Sequence, residues 1–136
     1  MAKALRGFSW VMGIACTAIG LWHVAAGNVA IPGEGDAGPT VDSLGRFLGA
    51  FFAGYGLAWV WAARQDPVPA RLVRGLAAVF ALGTVGRLLS LAVEGRPHWF
   101  QVVLIVQEVL IPPLLFWLAD ADERAYAARR GGEGTI

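Results

Sequence analysis

The sequence predicts an all-α fold, namely an integral membrane bundle of four antiparallel helices with both termini in the cytoplasm. The first observation is composition: of the 136 residues, 57% are hydrophobic and 15% are charged, and the mean hydropathy is +0.57. Soluble domains of this length are rarely so apolar. The second observation is a set of four apolar stretches, each close to the roughly 20 residues that a helix needs to cross a bilayer.

The apolar stretches predict one transmembrane domain, residues 1–120, followed by a polar cytoplasmic tail, residues 121–136. The predicted spans cover about residues 8–27, 43–63, 72–93 and 99–119. The segments between them carry the proline, glycine and acidic residues that are typical of loops. A secretory signal cleaved after Ala26 is the alternative interpretation of the first stretch. That stretch is long for a signal, so we expect it to remain as a span.

The distribution of basic residues predicts which side of the membrane each loop faces. The first loop contains Glu34, Asp36 and Asp42 and no basic residue. Basic residues precede the first span and recur in the second loop and the tail: Lys3, Arg6, Arg64, Arg71, Arg74, Arg124, Arg129 and Arg130. Because cytoplasmic segments carry the excess of Lys and Arg, the termini and the second loop are predicted to be cytoplasmic. The chain is thus predicted to be a multi-pass protein of the inner, cytoplasmic membrane.

Small residues recur at helical spacing in the first two predicted spans. Gly13, Gly20 and Gly27 recur every seven residues, and Gly45 and Gly49 form a GxxxG pattern. Membrane helices associate through close backbone contact at small residues, because lipid provides little hydrophobic drive between them. We expect these glycines to pack helices within one bundle. A homodimer interface is the alternative.

Each predicted span carries a strongly polar side chain in its outer half. These side chains are His23, Arg46, Arg87 and Glu108, and Gln101 lies seven residues before Glu108 on the same helix face. Charged groups within a membrane are rare, face the interior of a bundle and pair with one another. The sequence therefore predicts one polar site near the outer face, which is a candidate ligand-binding pocket.

Glu108 is the predicted partner of Arg87. Pro112 has no N–H to donate to the carbonyl of Glu108, four residues earlier, and Pro113 likewise frees the carbonyl of Val109. Arg87 has five donors and is able to bond both the carboxylate and a freed carbonyl. This pairing gives a reason for an arginine within an otherwise apolar segment.

The charge balance of the predicted site leaves several interpretations open. Arg46 and Arg87 against Glu108 alone leave one positive charge, which a lipid phosphate or a fatty carboxylate would neutralise. Alternatively, Asp42 pairs with Arg46 four residues later while Glu94 reaches back towards Arg87, and every charge is satisfied without a ligand. A proton or ion path is a third interpretation.

Three function classes follow from this site. The first is a binding or accessory protein that holds a membrane lipid or a small anionic amphiphile, or that supports a homo-oligomer or a larger membrane complex. The second is a small membrane enzyme, such as a lipid isomerase, with Glu108 and His23 as acid and base. The third is an oligomeric transporter, which the apolar inner halves of the spans disfavour. No catalytic residue, metal or cofactor is predicted, because no motif for one is present. A net charge of +1 disfavours nucleic acid as a partner.

Three segments of the chain resemble a known family. They are DSLGRFLGAFFAGYGL, GRLLSLAVEGRPH and QEVLIPPLLFW, and together they are similar to the bacterial four-span family catalogued as domain of unknown function 4345. That family has an arginine near the start of the second span, Arg-x-x-Ser and then Gly-x-Pro in the third, and a glutamate before proline in the fourth. The matching residues are Arg46, Arg87, Ser90, Gly95, Pro97 and Glu108. The resemblance covers about residues 8–120 and implies a compact four-helix membrane protein, but no activity.

Overall fold

The computed structural model describes residues 2–33 and 37–133, and over these residues it consists of four α-helices and one short 3₁₀ helix. The α-helices are α1 Ala2–Ala26, α2 Gly38–Arg64, α3 Ala70–Glu94 and α4 Trp99–Glu133, and the 3₁₀ helix covers Gly27–Ala30. No strand occurs in these ranges, so the predicted all-α class is confirmed. Glu34 and Asp36 of the predicted first loop, and residues 134–136 of the predicted tail, lie outside the described residues.

Three segments of the described chain are long and apolar enough to cross a membrane. They are Lys3–Ala30, which comprises most of α1 and the 3₁₀ helix, then Ala70–Glu94, which is α3, and Trp99–Gly132 within α4. The helix α2 has 27 residues and is not among them, because the uncharged stretch between Arg46 and Arg64 has only 17 residues, three of them glycine. The length and hydropathy of α1, α3 and α4 are therefore consistent with a membrane protein.

Glycines bring α1 and α2 into backbone contact. A Cβ atom at Gly13 would lie 2.9 Å from the backbone nitrogen of Val60, and one at Gly20 would overlap the backbone of Gly49 and Ala53. Only a residue without a side chain fits at such separations, which is how small residues allow membrane helices to associate. Gly13, Gly20 and Gly49 therefore pack helices within one chain, as predicted, whereas a Cβ at Gly45 would meet only the side chain of Ile31 among the described residues, at 3.8 Å.

The helices form two pairs that share one apolar core. The helix α1 packs chiefly on α2, and α3 packs chiefly on α4, whereas contacts between the two pairs are few. All four helices contribute buried side chains to the core, including Leu5, Cys16, Trp59, Val73 and Leu115. Several of these residues are close to the start of α1 and the end of α2, which leaves the opposite end of the helices for most of the predicted polar residues.

The helix α4 continues from Trp99 to Glu133 without a break, through Pro112 and Pro113. It therefore includes most of the segment that was predicted as a polar tail. At about 1.5 Å per residue, its 35 residues form a helix about 50 Å long. This length is about 20 Å more than the roughly 30 Å thickness of a hydrocarbon core. The last turns of α4 are thus polar helix rather than irregular chain.

Candidate functional site

Two acceptors from α4 hold the guanidinium of Arg87. Its Nε lies 2.9 Å from Oε2 of Glu108, and its Nη1 donates to Oε1 of Gln101 over 2.9 Å. Gln101 and Glu108 are seven residues apart and so lie on one face of α4. The side chain of Glu108 is 16% exposed and that of Arg87 is 40% exposed. The predicted ion pair is therefore present, and Gln101 completes it. We call these three residues the Arg87 centre.

Thr84 contacts the carbonyl of Glu108, which Pro112 leaves without its helical donor. The Thr84 Oγ1 atom lies 3.1 Å from this oxygen and 3.1 Å from the carbonyl oxygen of Phe80. Thr84 is 6% exposed, and its single hydroxyl hydrogen is shared between the two carbonyls. The sequence alone predicts Arg87 as the donor to the freed carbonyl. In the structure Arg87 forms an ion pair with the side chain of Glu108, and Thr84, one turn earlier on α3, donates a hydrogen bond to its backbone carbonyl.

Thr84→Val is expected to lower the free energy of unfolding by about 1–2 kcal/mol, because a buried carbonyl then lacks its donor. Pro112→Ala restores an N–H four residues after Glu108, so Thr84→Val should cost less in that background. Thermal unfolding in detergent measures both effects, and Ser90→Ala, at an exposed hydroxyl on the same helix, is the control. Equal losses in the two backgrounds would contradict the role of Thr84.

Arg46 lies in a second polar centre, where α1 ends and α2 begins. Its Nε donates to Oδ2 of Asp42 over 2.7 Å, and its Nη1 donates to the carbonyls of Val24 and Ala25 over 2.5 and 3.1 Å. The last carbonyls of a helix lack donors within the helix, so Arg46 caps α1 from α2. The other Asp42 oxygen, Oδ1, accepts from the backbone N–H of Asn28 over 3.0 Å. This Arg46 centre ties the first loop to both helices.

The pKa of Asp42 is lowered by the hydrogen bond from Arg46 and, to a smaller extent, by the one from the backbone of Asn28. A carboxylate whose pKa is lower in the folded than in the unfolded state stabilises the fold above its unfolded pKa. This contribution is lost as the pH falls through the folded pKa. We therefore expect the Tm of the wild type to fall more steeply below about pH 4 than that of Asp42→Asn. Circular-dichroism melting over the acidic range measures this, and parallel curves would count against it.

His23 is held by its own helix. Its Nδ1 lies 2.8 Å from the carbonyl oxygen of Ile19, and because a carbonyl only accepts, Nδ1 donates the hydrogen of this bond. The Cβ of His23 packs against Gly49 of α2. Within residues 2–33 and 37–133, no hydrogen bond or ion pair joins His23 to Glu108. The enzyme interpretation, which needs these two groups in one site, gains no support from this geometry.

The five predicted site residues thus belong to two helix pairs. Arg46 and His23 belong to α1 and α2, whereas Arg87, Gln101 and Glu108 belong to α3 and α4. No hydrogen bond or ion pair in the described part of the chain links the two groups. Each arginine has a carboxylate within 3 Å, so the excess positive charge that favoured an anion is neutralised. In the same ranges, no three His, Cys, Asp or Glu side chains are grouped as a metal site would require.

The family described as Domain of unknown function (DUF4345) matches residues 4–119. The chain belongs to this family. The matched range includes both polar centres and Thr84. Nothing matches the chain among curated proteins or among solved structures. The description of the family states no activity.

This DUF4345 protein also has ion pairs at the end of the helices where α1 begins. Arg6 Nη2 lies 2.9 Å from Oδ1 of Asp66, and Arg74 near the start of α3 pairs with Asp120 over 2.6 Å and with Glu123. The sequence did not predict the pairs of Arg74 with Asp120 and Glu123, because both acids lie beyond the end of the last predicted span, at residue 119. Asp120 and Glu123 are three residues apart and so lie on one helix face. This spacing is the feature of the sequence that could have indicated a shared basic partner.

Proposed function

We propose that the chain crosses the inner membrane four times, with antiparallel helices and both termini in the cytoplasm. Contacts at the two ends of the helices support this arrangement. Gly33 of the first loop packs against His98 before α4, in keeping with a shared outer face for loops one and three. Arg6 near the start of α1 pairs with Asp66 of the second loop, in keeping with a shared cytoplasmic face. In this arrangement α2 crosses beside α1, against which its glycines pack.

The Arg87 centre binds the polar part of a membrane lipid, or of a similar small amphiphile, from the outer leaflet. The main support for this proposal is that one nitrogen of the Arg87 guanidinium has no hydrogen-bond partner among the described residues. Its Nε forms an ion pair with Glu108 and its Nη1 donates to Gln101. Its Nη2 makes no hydrogen bond to any described residue, and 40% of the side chain is exposed. Arg87 lies about 10 Å from the end of α3 at 1.5 Å per residue. Because an unsatisfied N–H is costly in hydrocarbon, a lipid oxygen at this depth is the natural acceptor.

Charge balance favours an acceptor that brings no unbalanced charge. Glu108 neutralises Arg87, and Asp42 neutralises Arg46, so an isolated fatty carboxylate would leave the site with a net negative charge. A phosphate in a zwitterionic headgroup, or a lipid ester carbonyl, adds no net charge to a low-dielectric site. The proposed role is therefore that of a lipid-binding or accessory membrane protein.

Native mass spectrometry after mild detergent extraction tests this role. We expect the wild type to retain a phospholipid. The double variant Arg87→Met/Glu108→Leu should fold, because removal of both charges leaves neither one unpaired, and should lose the lipid. The variant Glu94→Leu/Arg96→Met removes an exposed glutamate from the end of α3 and an exposed arginine from the adjacent loop, and it is the matched control. A folded Arg87→Met/Glu108→Leu variant that retains the lipid at the wild-type level would disprove the role of this centre.

A further inference from the structure

The cytoplasmic-facing end of α2 in the proposed arrangement carries a groove that has no part in either polar centre. It is lined by Leu57, Val60, Trp61, Arg64 and Gln65. Their spacing of three and four residues places them on one side of the helix. The side chains of Leu57 and Trp61 are 59% and 57% exposed. The lining therefore passes from an aliphatic part at Leu57, through an indole, to a guanidinium at the end of the helix.

The guanidinium at this end is free to bind a ligand. Arg64 makes no ion pair or hydrogen bond with residues 2–33 or 37–133. Asp66, the acid nearest to it in the sequence, pairs with Arg6, and Arg6 also donates to the carbonyl of Gln65 over 3.0 Å. The nearby carboxylate is thus already neutralised, and Arg64 retains its full positive charge beside the groove.

We propose that this groove binds an anionic phospholipid of the inner leaflet. The phosphate contacts Arg64, the indole of Trp61 lies at the level of the headgroups, and one acyl chain lies along Leu57. Anionic lipids are concentrated in the cytoplasmic leaflet and attract basic residues at its surface. Arginine binds phosphate through paired donors, and tryptophan prefers the interface. The inference rests on the proposed membrane arrangement, which sets this end of α2 at the cytoplasmic surface, but not on the Arg87 centre.

Reconstitution of the full chain into nanodiscs of mixed phosphatidylglycerol and phosphatidylcholine tests the groove. Native mass spectrometry then gives the ratio of the two lipids that the protein retains. We expect the wild type to prefer phosphatidylglycerol and Arg64→Gln to reduce the preference about fivefold, or about 1 kcal/mol at roughly 1.4 kcal/mol per tenfold change, because the paired donors to the phosphate are lost. Arg71→Gln removes the same charge from the start of α3, outside the groove, and should leave the preference unchanged. Leu57→Trp fills the aliphatic part without a change of charge and should reduce retention of phosphatidylglycerol.

If Arg64→Gln and Arg71→Gln reduced the preference for phosphatidylglycerol equally, the anionic lipid would be attracted by the basic residues around the second loop in general. That result would overturn the proposal of a binding groove. An unchanged preference in Arg64→Gln, or full retention in Leu57→Trp, would overturn it as well. Failure of the Arg87 centre is distinguishable, because it appears as phosphatidylcholine retained by Arg87→Met/Glu108→Leu at the wild-type level, whatever the preference for phosphatidylglycerol. Failure of the membrane arrangement appears as release of the wild type from membranes by alkaline carbonate, and that result would overturn both proposals.

Discussion

Glu108→Leu is expected to lower the free energy of unfolding by about 3 kcal/mol, the low end of the roughly 3–5 kcal/mol lost when one partner of a buried ion pair is removed. The variant leaves Arg87 with the amide oxygen of Gln101 inside a segment that is apolar enough to cross a membrane. The low end applies because Gln101 still accepts a hydrogen bond from Arg87 in this variant, so the guanidinium keeps one polar partner.

Replacement of both partners distinguishes the cost of an unpaired charge from a general disruption of the helices. The variant Arg87→Met/Glu108→Leu should recover most of the stability that Glu108→Leu loses, since no charge is left unpaired. Equilibrium unfolding in mixed detergent micelles measures each variant. Glu94→Leu, at an exposed acid at the end of α3, is the control and should change stability by less than about 0.5 kcal/mol. If Glu108→Leu is as stable as this control, the ion pair does not stabilise the bundle.

Gly20→Ala is expected to destabilise the protein by about 2 kcal/mol, within the range for overpacking. The added methyl group would overlap the backbone of Ala53 and Gly49. Backbone atoms of a helix cannot rotate away as the end of a side chain does, so α1 and α2 must separate along part of their length. The better helix propensity of alanine, worth up to about 1 kcal/mol, offsets only part of this loss.

Gly83→Ala provides the matched control for this glycine. Gly83 lies on α3, and a Cβ there would meet no packed neighbour within 4 Å in the described part of the chain. The same substitution should therefore be neutral or slightly stabilising through helix propensity. Unfolding of the two variants in the same detergent gives the comparison. Equal stability of Gly20→Ala and Gly83→Ala would show that α1 and α2 are not in the close contact described.

The parts of the fold that depend on local pattern were predictable from the sequence. Hydropathy predicts the four helices, because each apolar stretch must place its backbone hydrogen bonds within itself. Glycine spacing predicts the contacts at Gly13 and Gly20, because close approach needs a face without side chains. The pairing of Arg87 with Glu108 was predictable as well, since an arginine in an apolar segment has few candidate partners.

The remaining features depend on which helices are neighbours, and the sequence does not contain that information in local form. The similar predicted depth of Arg46 and Arg87 in the membrane predicts that they share one site. In the structure α1 packs on α2 and α3 packs on α4, so the two arginines lie in different helix pairs. Thr84 is hard to predict because its hydroxyl matters only opposite a carbonyl that lacks a donor. Asp120 likewise gains its role from Arg74 on another helix.

Labelling of single cysteines in intact cells tests most directly the central claim, a four-span arrangement that turns the Arg87 centre towards the outer leaflet. In a Cys16→Ala background, Pro97→Cys reports on the third loop and Pro67→Cys on the second. The proposed arrangement predicts that a membrane-impermeant maleimide labels position 97 from outside, and position 67 only after the membrane is permeabilised. Labelling of position 67 in intact cells would contradict the orientation, and with it the assignment of Arg87 to the outer leaflet.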